Sequence, residues 1–370
     1  MHLPRHAIRN RARRAVALVA VASGLGLLPG VVSPSLAQAA PILRAERQDP
    51  EIGVQFHGMW ADYTDAQRHE VLDRYEAIGV RAVRLDVSWA MLQPLGPEYD
   101  PWGVSFVDNV IDMINSHGMT ALVTLWLTPP WANGDQGTLA LPSNPEDYAR
   151  VAQWAAHRYA GKVLGWEVWN EPNSTNYMVG ADPVEYTRLL QAAYPAFHAG
   201  DPNTLVVFGG VEYNDDAWLA KAYDAGVHGY FDVMSTHCYQ SPSNESPLTP
   251  DDGSRYKFMH LPAVRALMVQ RGDGDKSIWT GMGYSTHVDP PETPVYARGV
   301  DEVTQAIYLN EAVMQIRQNW PWVGKFAWYT DRDSDAESTS HNKHFGLLRA
   351  DLSPKPAYTA MANLIAPDPA

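Results

Sequence analysis

Eight short runs rich in β-branched and aromatic residues recur along the chain, and a segment with helical spacing of apolar residues follows each of them. The runs cover residues 52–57, 82–87, 120–126, 163–169, 205–209, 232–237, 277–280 and 324–329. Strands that alternate with helices pair in parallel, because each helix returns the chain to the starting edge of the sheet. Eight such units predict the α/β class and a single-domain (β/α)8 TIM barrel over residues 51–366. In such a barrel the functional side chains lie at the carboxyl ends of the strands.

The segments between the strands carry the signals of helix starts. Thr64-x-x-Gln67 is a capping box, and Asn144 and Asp182 each precede a proline in the first helical position. Further helices are predicted at residues 105–116, 216–226, 261–271, 301–319 and 356–364.

The first 39 residues have the pattern of a secretory signal peptide. Five arginines precede an apolar run over residues 15–32, and Ala37-Gln38-Ala39 provides the small-residue cleavage pattern. We therefore expect a signal peptide at 1–39, a secreted protein, a leader segment at 40–50 and a tail at 367–370. A membrane anchor is the alternative, but three glycines and a proline interrupt the apolar run.

The charge of the chain excludes two classes of partner. Removing residues 1–39 takes away five arginines and no acids, so the net charge of −14 becomes −19. Such an acidic surface repels phosphates, so we expect no nucleic acid partner and no membrane partner after signal cleavage. Cys238 is the single cysteine, which rules out a disulfide within the chain.

The fourth predicted strand ends in the sequence Gly165-Trp166-Glu167-Val168-Trp169-Asn170-Glu171-Pro172-Asn173. A carboxyl group held among tryptophans favours its protonated form, and a protonated carboxyl suits a general acid. The alternative is that Glu171 and Asn173 only cap backbone amides at the start of a helix. We favour the general acid.

This stretch resembles the acid/base motif of the large clan of retaining glycosidases that includes the cellulase-like family 5 and the xylosidase-like family 39. The similarity extends over residues 52–364. Further stretches carry it, among them four at or just past a predicted strand: Arg84-Leu85-Asp86-Val87-Ser88-Trp89, Thr128-Pro129-Pro130-Trp131, His237-Cys238-Tyr239 and Phe326-Ala327-Trp328-Tyr329. The resemblance implies a retaining O-glycosyl hydrolase that acts on a polysaccharide or oligosaccharide, with a carbohydrate substrate.

The resemblance also implies roles for single residues. Glu171 is the expected acid/base, and Asn170 is expected to hydrogen-bond a sugar 2-hydroxyl. Arg84 is expected to fix the neighbour of Glu171 or to hold the carboxylate of the nucleophile. The alternative is that it pairs with Asp86 or Glu167 inside the barrel. His237 and Tyr239 are expected to orient carboxylates. Trp328, Trp89 and Trp131 are expected to stack on sugar rings, Trp328 foremost.

The sequence departs from the clan at the seventh strand, where the attacking glutamate of a Thr-Glu-x-Gly motif belongs. The chain reads Thr280-Gly281-Met282-Gly283-Tyr284-Ser285-Thr286, so Gly281 occupies the position of the nucleophile. Retaining enzymes need two carboxyl groups about 5–5.5 Å apart, and glycine has none to offer.

Three explanations for Gly281 remain open. The chain is an engineered variant of an active hydrolase, or a natural barrel that lost hydrolysis and binds glycans, or it uses another carboxylate. The third is the weakest, because Glu212, Asp331 and Asp333 follow other strands; Glu212 is expected to be a solvated loop acid.

No metal or cofactor is expected. His341-x-x-His344 lacks a carboxylate at helical spacing, and no dinucleotide or phosphate-binding motif is present. No motif specifies the sugar, the linkage or the oligomeric state.

Overall fold

The computed structural model describes residues 49–366. The predicted signal peptide, the predicted tail and most of the predicted leader lie outside these residues. The strands are β1 (Glu51–Gln55), β2 (Ala82–Ser88), β3 (Thr120–Trp126), β4 (Val163–Asn170), β5 (Leu205–Glu212), β6 (Met234–His237), β7 (Ile278–Met282) and β8 (Val323–Trp328).

The eight strands form a closed parallel barrel in chain order, with β8 paired to β1. The prediction of a (β/α)8 barrel is confirmed. Strand ends differ from the predicted ones by up to three residues. β6 begins at Met234 because Asp232, predicted to be its first residue, uses its carboxylate to accept hydrogen bonds from the Val206 amide and the Tyr194 hydroxyl.

The helices between the strands begin and end as follows: α1 (Asp65–Ala77), α2 (Trp89–Leu92), α3 (Pro101–Ser116), α4 (Pro130–Asn133), α5 (Pro145–Arg158), α6 (Pro183–Gly200), α7 (Asp216–Asp224), α8 (Leu261–Gln270), α9 (Glu302–Asn319) and α10 (Pro356–Ile365). The short α2 and α4 were not predicted. α3 begins four residues before its predicted start, because Asp100 caps it by accepting a hydrogen bond from the Gly103 amide.

The predicted caps are formed. The Thr64 hydroxyl accepts from the Gln67 amide at 3.2 Å, and the Gln67 side chain accepts from the Thr64 amide at 2.9 Å. Asn144 and Asp182 accept from amides in the first turns of α5 and α6. Each cap contributes about 1 kcal/mol to stability.

The apolar core lies between the barrel and its helices. Trp166 of β4, for example, stacks on Phe197 of α6 with ring centroids 5.5 Å apart. Charged side chains of β2 and β4 point into the barrel, where Arg84 meets Glu167. No helix within residues 49–366 is both long enough and apolar enough to cross a bilayer.

Candidate active site

A cavity of about 890 Å³ opens at the carboxyl ends of the strands. Its floor is formed by the last residues of β2, β4, β5 and β6, and its walls by the loops that follow the strands. The polar residues of the floor are Arg84, Asp86, Asn170, Glu171, Glu212 and His237. The sequence-predicted Asn170, Glu171, Arg84, His237 and Tyr239 all line this cavity.

Glu171 follows β4 with a backbone φ of 45°, a left-handed conformation that is strained for a residue with a side chain. Two hydrogen bonds hold it there: its amide donates to the Gly210 carbonyl at 3.1 Å, and its carbonyl accepts from the Ser174 amide at 3.0 Å. The side chain is buried, and its Oε1 lies 2.7 Å from Nδ1 of His237. The acid expected from the sequence is therefore fixed in both backbone and side chain.

His237 connects Glu171 to the seventh strand. It is in register with Glu212 of β5 on one side and with Gly281 of β7 on the other. Its ring also lies against Gly210, where an added Cβ would come within 2.3 Å of Nε2. A glycine at position 210 is thus required for this ring position.

Arg84 is paired inside the barrel. Its guanidinium donates to Glu167 at 2.8 Å, Gln55 at 2.7 Å, Asp86 at 3.1 Å and Asn170 at 2.9 Å. Arg84 therefore pairs with both Asp86 and Glu167, the two acids expected as its alternative partners inside the barrel. It also orients the Asn170 amide.

Glu167 shows the electrostatic effect of this pairing. Its burial would raise the pKa of the carboxyl, but the Arg84 charge, the nearby His237 and a hydrogen bond from Thr124 together lower that pKa below its ordinary value. Glu167 is thus a buried carboxylate that depends on Arg84.

Two of the tryptophans expected to stack on sugar are in the core, which corrects the prediction. Trp328 and Trp89 are fully buried, and their indole N–H groups donate to the Phe345 carbonyl and the Gln93 side chain. Trp131 is half-buried, donates to the Gln93 carbonyl at 2.7 Å and does not line the cavity. Other aromatic residues line the cavity: Trp60, Trp126, Tyr177, Tyr213, Tyr239, Tyr284, Tyr296, Tyr329 and Phe345.

The reason for this difference lies in strand alternation. On β8, Lys325 and Ala327 face the barrel interior, so Trp328 faces the helices and the next residue, Tyr329, faces the cavity. Tyr329 is half-buried and occupies the cavity position that the sequence predicted for Trp328.

Gly281 lies within β7, in register with His237 and with Ala327. A Cβ added there would come within 3.0 Å of the Ala327 carbonyl oxygen and no closer than 3.9 Å to any other atom outside the adjacent residues. Gly281 also borders a small chamber of about 50 Å³ inside the barrel, which Arg84 and His237 line as well. A Cβ at position 281 would thus need only a small shift of its neighbour.

The other acids considered from the sequence have different surroundings. Asp331 is buried and accepts hydrogen bonds from the Tyr63 hydroxyl at 2.6 Å and the His57 amide at 3.1 Å, so it orders loops. Asp333 is buried and pairs with Lys355 at 2.8 Å. Neither lines the cavity.

Glu212 corrects the expectation of a solvated loop acid. It is the last residue of β5, is half-buried and lines the cavity. Burial, and then the neighbouring charge of Glu171, raise the pKa of its carboxyl. The expectation was wrong because the predicted fifth strand ended at residue 209, which placed Glu212 in a loop.

Two further groups bear on the chemistry. Within residues 49–366, one group of three potential metal ligands lies together, Asp73, Glu76 and His117, at the opposite end of the barrel, and Nε2 of His117 lies 3.1 Å from Oδ1 of Asp73. Cys238 is fully buried against Thr280, and burial raises the pKa of its thiol to about 12. A thiol held in this way is not a nucleophile.

A parallel barrel with a fixed carboxyl group after β4, set in an aromatic cavity, has the architecture of a glycoside hydrolase. Residues 46–257, more than half of the chain, match the family model described as Cellulase (glycosyl hydrolase family 5). The chain belongs to this family of glycoside hydrolases.

Relatives support the same class. A beta-xylosidase of Geobacillus stearothermophilus is 24% identical over 289 residues, which are 70% of this chain and 55% of that relative. Beta-glucosidase 1B of Phanerodontia chrysosporium is 30% identical over 116 residues, 28% of this chain and 20% of that relative. The chain thus spans between about a fifth and about half of the length of these curated relatives.

Solved structures share the fold. A family 39 glycoside hydrolase from Bacteroides cellulosilyticus WH2 superposes with a TM-score of 0.69 at 22% identity, covering 86% of this chain and 64% of that one. A monomeric beta-xylosidase from Caulobacter crescentus CB15 gives a TM-score of 0.63 at 18% identity, covering 86% and 68%.

Proposed function

We propose that this barrel is a secreted O-glycosyl hydrolase of the retaining, two-carboxylate type, in which Glu171 is the acid/base and position 281 lacks the nucleophile. The observation that carries the proposal is the fixed carboxyl of Glu171 joined through His237 to Gly281. The substrate is a polysaccharide or oligosaccharide, bound among the aromatic walls of the cavity. The signal-peptide pattern of residues 1–39 supports export, and N-terminal sequencing of the protein from culture medium tests it.

The chemistry divides between the two strand ends. Glu171 protonates the glycosidic oxygen as the bond to the leaving group breaks, and Asn170 holds the 2-hydroxyl of the sugar. In a two-carboxylate enzyme the second carboxylate attacks the anomeric carbon, and Glu171 then deprotonates the water that releases the sugar. Gly281 supplies no attacking atom, so this protein hydrolyses glycosides extremely poorly while still binding them.

The decisive experiment is to install the missing group. Gly281→Glu should raise the hydrolysis of aryl glycosides by roughly 10³-fold or more, since loss of a nucleophile typically removes at least that much activity. Nuclear magnetic resonance of the first product should show retained anomeric configuration. Gly281→Gln is the matched control, because it fills the same space without a nucleophile.

Small anions offer a second test on the unmodified chain. Azide or formate should enter the space left at position 281 and partly restore turnover of an activated aryl glycoside. A folded Gly281→Glu protein that stays inert on a broad panel of aryl glycosides would contradict the assignment of position 281.

A glycan-binding protein without hydrolysis is the second candidate, and the absence of a side chain at Gly281 favours it. In that case sugar binding survives Glu171→Gln, and Gly281→Glu gains no activity.

A further inference from the structure

The cavity is rich in acids. Asp86 on β2, Glu171 after β4 and Glu212 at the end of β5 all line it. Among the cavity-lining residues in the described part of the chain, the permanent cations are Arg84 and Lys343. Lys343 is exposed on the turn His341–Lys343 in the loop after β8, so Arg84 is the cation of the floor.

Arg84 is not free to receive an anionic substrate. Its guanidinium is shared among Glu167, Gln55, Asp86 and Asn170, as described above. Glu167 and Asp86 are both ion-paired with it, at 2.6 and 3.1 Å. A carboxylate or sulfate on a sugar would therefore meet acids at the floor and, in Arg84, a guanidinium whose donors are already engaged.

Asp86 is held with one face toward the cavity. Arg84 and Gln55 each donate to one of its oxygens, at 3.1 and 3.0 Å, and 21% of its side chain remains exposed. Beside it, the buried ring of His57 has no hydrogen-bond partner on either nitrogen. Burial lowers the pKa of His57 to about 3, so the ring is neutral and adds no positive charge beside Asp86. Burial raises the pKa of the Asp86 carboxyl, and the Arg84 charge acts against that rise.

Glu212 is positioned by its backbone on the other side of β4. Its amide donates to the Asn173 side chain at 2.7 Å, and its carbonyl accepts from the same side chain at 3.0 Å. Asp86 and Glu212 therefore stand on strands that lie to either side of the strand bearing Glu171. The two acids therefore reach the cavity from different strands.

We propose that the cavity binds a glycan of amino sugars, at least two consecutive residues long, whose ammonium groups pair with Asp86 and Glu212. This inference rests on the proposed function, since it takes the cavity to be the sugar site. An ammonium group beside Asp86 and another beside Glu212 offset the negative charge of these two carboxylates, which a neutral sugar leaves in place and a uronic acid increases. The negative net charge, −14 for the full chain and −19 without residues 1–39, acts in the same direction at long range.

Isothermal titration calorimetry on the unmodified protein tests the proposal, because this protein hydrolyses glycans too slowly to interfere. The probes are a β-1,4-linked glucosamine tetrasaccharide, its fully N-acetylated counterpart, cellotetraose and a tetragalacturonate, at pH 6 in low and high salt. We expect the glucosamine tetrasaccharide to bind at least tenfold more tightly than cellotetraose, with the difference shrinking in high salt. The galacturonate should not bind.

Asp86→Asn and Glu212→Gln should each reduce this preference about fivefold or more, while Glu292→Gln, an exposed acid outside the cavity, should leave it unchanged. Glu212→Gln keeps the test open if Asp86→Asn fails to fold. Equal affinity for glucosamine and neutral tetrasaccharides overturns the inference and leaves the proposed function standing. Failure of every glycan to bind overturns the proposed function as well. If both variants keep the preference for the glucosamine tetrasaccharide, Asp86 and Glu212 are not the residues that pair with its ammonium groups.

Discussion

Nδ1 of His237 lies 2.7 Å from Oε1 of Glu171, and the same histidine is in register with Gly281 on the neighbouring strand. One imidazole thus touches the proposed acid and adjoins the place where a second carboxylate would stand. Strands of a sheet lie about 4.8 Å apart, so the position without a side chain is one strand away from the ring that orients the acid.

The first prediction concerns Glu171 as a proton donor. In the Gly281→Glu background, Glu171→Gln should lower kcat by roughly 10²–10⁴-fold for substrates whose leaving group needs a proton. For a dinitrophenyl glycoside, whose leaving group needs none, the loss should be far smaller. Steady-state kinetics on the two substrates give the ratio, and equal losses on both would exclude the proton-donor role.

The second prediction concerns His237 as a positioning residue. In the same background, His237→Ala should reduce kcat about 10–100-fold with little change in KM, because Glu171 loses the contact that fixes its carboxyl. His237→Asn should recover part of the activity, since its amide can reach Oε1 from the level of Nδ1. A variant that changes KM alone, or an asparagine that rescues nothing, would argue against this role.

The third prediction concerns the buried pair of Arg84 and Glu167. Arg84→Met should lower the free energy of unfolding by about 3–5 kcal/mol, because it leaves the fully buried Glu167 carboxylate without its cation. Urea denaturation measures the loss. Arg150→Met, which breaks an ion pair with Asp147 at the surface, should cost less than about 1 kcal/mol. Similar losses of unfolding free energy in Arg84→Met and Arg150→Met would contradict the claim that the buried Glu167 carboxylate depends on Arg84.

The fourth prediction concerns pH and His57. Burial lowers the pKa of its imidazole to about 3 from an ordinary 6.5, so between these values the unfolded chain binds a proton that the folded chain does not. Stability from this group is complete above pH 6.5 and falls as the pH drops toward 3, by at most about 1.4 kcal/mol per pH unit.

Urea unfolding at pH 7, 6, 5 and 4 should therefore show a shallower acid loss for His57→Gln than for the parent chain. His157→Gln, at an exposed position of α5, serves as the control and should follow the parent. Parallel pH profiles for all three proteins would show that His57 contributes nothing to the acid loss.

The fifth prediction separates a cavity tryptophan from a core one. Trp60 lines the cavity, is 38% exposed and stacks on His57 with centroids 3.7 Å apart. Trp60→Ala should weaken sugar binding by about 1 kcal/mol, roughly fivefold. Trp328→Phe should instead destabilise the fold by about 1–3 kcal/mol and leave sugar affinity unchanged. If sugar affinity fell only in the Trp328 variant, the sequence-based prediction that Trp328 stacks on a sugar ring would be correct.

The barrel could be predicted from the sequence because its signals are local. Strand runs of β-branched residues, helix caps at Thr64, Asn144 and Asp182, and the alternation of the two give all eight strands and most helices. The start of α3 was missed although Asp100-Pro101 carries the same capping signal as the others.

The walls of the site could not be predicted to the same depth, for a physical reason. Barrel strands are buried on both faces, so apolar residues occur at every position and their pattern does not show which set faces inward. If the inward-facing set is assigned one residue too early, Trp328 is predicted to face the cavity in place of Tyr329. Glu212 came into the cavity because β5 runs three residues past its predicted end.

The single cysteine gives this molecule a built-in reporter. Cys238 follows His237, its amide donates to the Gly281 carbonyl at 2.8 Å, and its thiol is sealed from solvent between β6 and β7. A thiol reagent can label it only when the packing around the thiol opens. The labelling rate therefore measures the opening of the structure around residue 238, next to the proposed site, with no engineered probe.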